Sequence, residues 1–292
     1  MSETTFAPAA ARGTDQETAP VFAEEARILG LPRSRWPDIL APIIVGILII
    51  GLWEWVVRYK NIPSYLFPGP LEIAKTLVQD WHTLSGALWI TLSITFAALF
   101  AAVSVGVALA ILFTQSKWLE RSLFPYAVIL QVTPVVAIAP LIIILAEDVN
   151  LSLLICAWIV AFFPILSNTI LGLNSADHNL VSLFQLYGAS RWQTMLYLRL
   201  PASLPYFLGG LKISGGLALI GAVVAEFVAG SGGSASGLAY RILESGYQLK
   251  IPRMFAALLL ISLSGIAIFL ATSWLSHRLL HRWHESALKR ES

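Results

Sequence analysis

Six runs of predominantly apolar residues, at roughly 39–57, 85–113, 122–146, 149–173, 206–229 and 253–275, decide what this chain can fold into. Crossing about 30 Å of hydrocarbon takes about 20 such residues. A backbone surrounded by lipid must also satisfy its own hydrogen bonds, which a single segment can do only as a helix. The expected fold class is therefore all-α, a polytopic membrane protein with about six transmembrane helices. Composition agrees: 57% of the residues are hydrophobic and 12% charged, about half the charge of an ordinary soluble domain. The third and fourth runs are parted by little more than Ala146-Glu147-Asp148-Val149-Asn150, which predicts a tight helical hairpin.

The runs divide the chain into an N-terminal tail over 1–38, a transmembrane domain over 39–275 and a C-terminal tail over 276–292. An even number of spans puts both termini on one side. With the N-terminus inside, twelve Lys and Arg fall in inner segments, Lys117, Arg121, Arg191 and Arg199 among them, against six in outer ones. That bias places both tails in the cytoplasm and the acidic turn at Glu147 and Asp148 outside. The first 38 residues lack the basic start and apolar core of a secretory signal. The basic stretch from Arg278 to Arg290 suits anionic lipid rather than nucleic acid. The single cysteine, Cys156, lies inside an apolar run and reads as a small buried hydrophobe, so neither an internal disulfide nor a thiolate metal cluster is expected.

Within the runs, small residues recur every four positions. Ala98, Ala102, Gly106 and Ala110 form one stripe; Gly210, Ser214, Ala218 and Ala222 form another, which Glu226 continues. Such stripes let helices approach closely, within one chain or across a dimer. Glu226 would face whatever its stripe faces, and in a homodimer two such carboxylates would stand near an outer gate. Gln131, Thr133 and Asn168 either line a pathway or bond between helices. Pro134 and Pro140 either kink a span or end a helical turn.

The longest loop, 174–205, is polar enough to leave the membrane yet keeps helical periodicity. Leu180, Leu183, Phe184 and Tyr187 repeat at three and four residues, which predicts an amphipathic helix that Gly188 ends as a left-handed cap. A second short helix from about Arg191 is expected to stop at Pro201. Helix, glycine turn, helix and proline together make a docking element below the membrane.

The spacing from Gly188 through nine residues to Leu198-Arg199-Leu200-Pro201 resembles the cytoplasmic "EAA" loop of permease subunits in bacterial binding-protein-dependent ABC importers. Gly188-Ala189-Ser190-Arg191-Trp192, Leu200-Pro201-Ala202-Ser203-Leu204-Pro205 and Gly209-Gly210-Leu211-Lys212 look like the nitrate/sulfonate/taurine branch. Pro68-Gly69-Pro70 before a short helix, Gln131-Val132-Thr133-Pro134, Phe162-Phe163-Pro164-Ile165 and Ala225-Glu226-Phe227 fall in the same order. The chain departs from that pattern at Ser182, Leu183 and Phe184, where the family has an acid and two alanines, and after Pro140-Leu141.

The resemblance implies a type I ABC importer permease fold and a homodimer. It also implies two partners, a cytoplasmic ATP-binding subunit and an extracytoplasmic solute-binding protein. The coupling residues it implies are Leu183, Phe184, Gly188, Ala189, Ser190, Leu200 and Pro201, and the candidate pathway residues are Gln131, Thr133, Asn168 and Glu226. Nitrate, sulfonates, taurine, pyrimidine precursors and riboflavin-like solutes all stay open. No cofactor or metal is expected on this chain. No Lys follows a Gly, so the phosphate-cradling G-x-x-x-x-G-K-[ST] loop is absent and ATP is expected on the partner. The alternative, a secondary transporter or channel, needs ionisable groups at mid-membrane. Glu54 and Glu226 lie near span ends, and Lys212 is read as close enough to the inner end for its ammonium to reach water.

Overall fold

The computed structural model describes residues 27–28, 31–32, 36–230 and 236–280. Most of the expected N-terminal tail, the end of the C-terminal one, and Gly232 and Gly233 lie outside the described residues. The chain forms two units, one ending at Leu52 and one starting at Trp53. In the first, a two-residue antiparallel ladder, β1 (Arg27–Ile28) with β2 (Leu31–Pro32), precedes the first part of α1 (Trp36–Tyr59). The apolar side chains of α1 from Ile43 to Ile50 are exposed. In water that surface would be costly; in hydrocarbon it is at home.

From Trp53 onward the order is α2 (Pro70–Gln79), α3 (Trp81–Gln115), α4 (Lys117–Val132), α5 (Val135–Ala146), α6 (Val149–Asn174), α7 (His178–Leu186), α8 (Arg191–Thr194), a π-helical turn (Met195–Arg199), α9 (Leu200–Ala229), α10 (Leu238–Tyr247) and α11 (Ile251–Leu280). Five helical segments are long and apolar enough to span a membrane by themselves: Leu40–Tyr59, Trp81–Gln115, Val149–Asn174, Arg191–Ala229 and Ile251–Leu280.

The expected third span is not one straight helix. It is a pair, α4 and α5, bent by 104° at Thr133 and Pro134. Pro134 supplies no N–H and pushes the residue before it out of the helical region. Thr133 is accordingly extended, at φ −73° and ψ 123°, and its Oγ1 donates to the Ile129 carbonyl 2.7 Å away. Pro140 lies inside α5 without breaking it. The hairpin to α6 is as tight as expected, with Glu147 at φ 57° and the Asp148 carboxylate accepting from the Asn150 N–H.

At the centre, α6 packs against α3 on one side and α9 on the other. Ala98, Ala102, Gly106 and Ala110 of α3 are buried, and so are Gly210, Ser214, Ala218 and Ala222 of α9. Both stripes serve helix packing within the chain: Gly106 lies against Ile165, and Ser214 Oγ donates to the Ala161 carbonyl at 2.7 Å. A close backbone approach decides one residue type, because a Cβ on Gly221 would stand 2.8 Å from Ala157 Cα. Gly221→Leu should therefore separate α6 from α9 and cost about 1–3 kcal/mol, whereas Gly216→Leu, with nothing within 4 Å of its Cβ position, should cost little. Thermal unfolding in detergent micelles compares the two; equal midpoints would contradict this account of the packing.

Candidate functional site

The loop from α6 to α9 is built from local chemistry. Asp177 opens α7, its carboxylate accepting from the Asn179 N–H at 2.7 Å. Beyond the helix the chain turns through Gly188 at φ +70°. The Ala189 N–H then reaches the Phe184 carbonyl at 2.9 Å, and the Gly188 N–H reaches that of Gln185 at 3.0 Å. Those two bonds are the Schellman pattern, which asks for a left-handed residue that only glycine adopts cheaply. Ser190 restarts the helix: its Oγ accepts from the Gln193 N–H at 3.2 Å while Gln193 Oε1 accepts from the Ser190 N–H at 2.7 Å. This is a reciprocal capping box.

The apolar face of α7 is left uncovered by the chain. Leu183 is 44% exposed, Leu186 85% and Tyr187 84%, while Phe184 is half-buried. No residue of α7 is buried.

Pro201 does not stop the following helix. The helix runs unbroken from Arg191 to Ala229, over 39 residues. A proline inside an α-helix strands a carbonyl and crowds the preceding turn. Here the turn just before it, Met195–Arg199, is π-helical, with the Leu200 N–H bonding back to the Met195 carbonyl. Widening that turn accommodates the ring. Leu200 and Pro201 thus belong to the base of a span.

The four candidate pathway residues fall in separate places. Gln131 is exposed and Thr133 half-buried, both beside the α4–α5 bend. Asn168 is half-buried in α6, its Nδ2 donating to the Pro164 carbonyl at 2.8 Å, and its Cβ lies against Gly210. Glu226 is 3% exposed. Its Oε1 accepts from Thr91 Oγ1 of α3 at 2.7 Å, its Oε2 from the Ala239 N–H at 2.9 Å, and Thr91 Oγ1 in turn accepts from the Leu238 N–H at 2.9 Å. The carboxylate thus ties the start of α10 to α3 and α9. Neither Thr91 nor α10 was among the expected site features. The run after Gly230 reads as an outer loop, and nothing near Thr91 in sequence announces a partner 135 positions away.

The sequence profile of the family described as "Binding-protein-dependent transport system inner membrane component" matches residues 102–281, which include the α7 loop and both sides of the α6–α9 contact. This chain belongs to that family. The permease is 33% identical, over 93% of its own length and 100% of the relative's, to the riboflavin transport system permease protein RibX of Chloroflexus aurantiacus. It is 26% identical, over 86% of itself and 93% of the relative, to the taurine transport system permease protein TauC of Escherichia coli. Among solved structures, it is similar to the MetNI methionine ABC transporter in inward-facing form, with a TM-score of 0.57 and 18% identity, covering 67% of the permease and 95% of that chain. That likeness shows the fold, an ABC importer permease. The permease is thus a multi-pass inner membrane component of an ABC transport system, of the branch that includes the riboflavin and taurine permeases.

Proposed function

We propose that this permease is the translocating subunit of an ATP-driven importer, working as a pair of copies with a separate cytoplasmic ATPase and an extracytoplasmic binding protein that delivers a small solute. The observation that carries the reading is the uncovered apolar face of α7. Leu183, Leu186 and Tyr187 stand out from a helix whose two ends are fixed by an Asp177 cap and the Gly188 turn. A rigid short helix that presents apolar side chains is the helix-in-groove mode of recognition, and the groove belongs to the ATPase. Gly188, Ala189 and Ser190 set the turn, and Leu200 and Pro201 begin α9 beyond it. The excess of Lys and Arg on this side supports cytoplasmic termini. Relatives that carry riboflavin and taurine bracket the solute as a small polar molecule.

The test is coexpression with an ATPase subunit of an ABC importer from the same cell. The permease should copurify with that subunit and, purified alone, should hydrolyse no ATP, since it lacks the phosphate-binding loop. Robust turnover by the isolated permease, or failure to associate with any ATPase, would overturn the proposal.

A further inference from the structure

Lys212 is the one charged side chain placed deep among the described membrane helices. Its depth is set by its neighbours on α9: Gly210 lies against the Pro164 carbonyl and Ser214 bonds to the Ala161 carbonyl. Lys212 is therefore level with 161–164, halfway along the 26 residues of α6. This corrects the expectation that it sits near the inner end, because a lysine stem reaches only about 6 Å and mid-membrane is about 15 Å from either surface.

Among the described residues no carboxylate pairs with that charge. Within the candidate spans, which begin at Leu40, the acids are Glu54, Glu120 and Glu226. Glu54 pairs with Arg58, Glu120 with Lys117, and Glu226 is bonded to Thr91 and Ala239. Glu226 lies 14 residues further along α9, about 21 Å away. A second copy would bring the same acids at the same depths. What Lys212 does touch is the face of Phe269 of α11, 4.1 Å from ammonium to ring centroid. That contact offsets only part of the cost of an ammonium in hydrocarbon.

The surface around Lys212 is open. Gly209 and Gly216 share its helical face at three and four residues, and neither would meet any atom within 4 Å of an added Cβ. On that face Ile213 is 53% exposed and Ile220 56%. A cation flanked by two glycine gaps leaves room beside the helix for a small molecule.

We propose that Lys212 is the anion-coordinating residue of the translocation pathway and that the transported solute carries a negative group, a carboxylate, sulfonate or phosphate. The assignment rests on the importer reading, and its logic is electrostatic. Water and a passing anion supply the compensation that the protein withholds, and a fixed cation inside low-dielectric walls raises the local concentration of anions over neutral or cationic solutes.

The single native cysteine makes a test possible without knowing the solute. Cys156 is fully buried and gives way to Ala, and Gly216→Cys then places a thiol one turn from Lys212. In liposomes holding the permease with its ATPase, two small membrane-impermeant methanethiosulfonates are compared, one bearing a sulfonate and one a trimethylammonium. With Lys212 present the sulfonate reagent should react about tenfold faster than its cationic counterpart, as expected for one charge within about 8 Å in a watery cleft. Lys212→Met should abolish that preference and Lys212→Arg should keep it. If Lys212→Met fails to assemble, Lys212→Gln serves as the neutral variant. A thiol that reacts with neither reagent would mean a lipid-facing helix, and a preference unchanged without the lysine would mean no local field; either overturns the proposal. ATPase copurification, scored in parallel, reports separately on the importer reading, since the thiol chemistry can also be run on the permease alone in the bilayer.

Discussion

Glu226→Ala should free α10 from the rest of the permease. The substitution removes the acceptor for both the Thr91 hydroxyl and the Ala239 N–H in a place that water does not reach. Each buried group left without a partner costs about 1–3 kcal/mol. The population with α10 detached should therefore rise by at least about 30-fold, since 1.4 kcal/mol is a factor of ten. Trypsin cleavage after Arg241, which is a quarter exposed within α10, reads that opening directly. Glu226→Gln keeps one acceptor oxygen and should fall between. The partner substitution is Gly237→Ala, where an added Cβ would overlap the Glu226 carboxylate. It should loosen α10 to a similar extent, and the double variant Glu226→Ala/Gly237→Ala should be less damaged than the sum, because removing the carboxylate also removes the clash. Cleavage in Glu226→Ala as slow as in the unmodified protein would end this account.

The second large effect is at the α7 turn. Gly188→Val forces a β-branched residue to φ +70°, at a cost of roughly 1–2 kcal/mol. The strain is backbone alone, since a Cβ there meets nothing within 4 Å. The chain can escape it only by giving up the bonds from Ala189 to Phe184 and from Gly188 to Gln185, which re-aims Leu183 and Phe184. The spans do not rely on that turn for burial, so insertion and pairing should be normal. ATP hydrolysis stimulated by the binding protein should fall at least about tenfold, in step with transport. Gly188→Asn, which tolerates the left-handed region, should retain most of it. Full stimulation in the valine variant would show that the turn has no part in coupling.

What could be read from the sequence follows how far each decision reaches along the chain. The Gly188 turn and the Asp148 and Ser190 caps are settled within five residues, and their geometry is the one that local spacing implies. The six apolar runs are settled by length and hydropathy. The break at Pro134 was visible as a proline, but not as a bend of 104°, because a proline alone does not say whether its neighbours will stay coaxial. Pro201 misled in the opposite direction. A π-helical turn can absorb a proline, and nothing in the residue pattern of Met195–Arg199 announces such a turn. The Glu226 cluster was least legible, since Thr91 and Leu238 come to it from 135 and 12 positions away and only tertiary packing joins them. The placement of Lys212 was misread for the same reason: its depth is measured against α6, which the α9 sequence does not contain.

The unbroken helix from Arg191 to Ala229 has a mechanical consequence. Its tightest seats on α6, at Ser203, Gly210 and Gly221, spread over about 27 Å of its length, leaving ends of about 18 Å and 12 Å beyond them. Three seats so far apart leave no single fulcrum, so α6 and α9 form one stiff double beam. A sideways load at the Arg191 end is borne by both helices together and reaches α10 at the far end through Glu226.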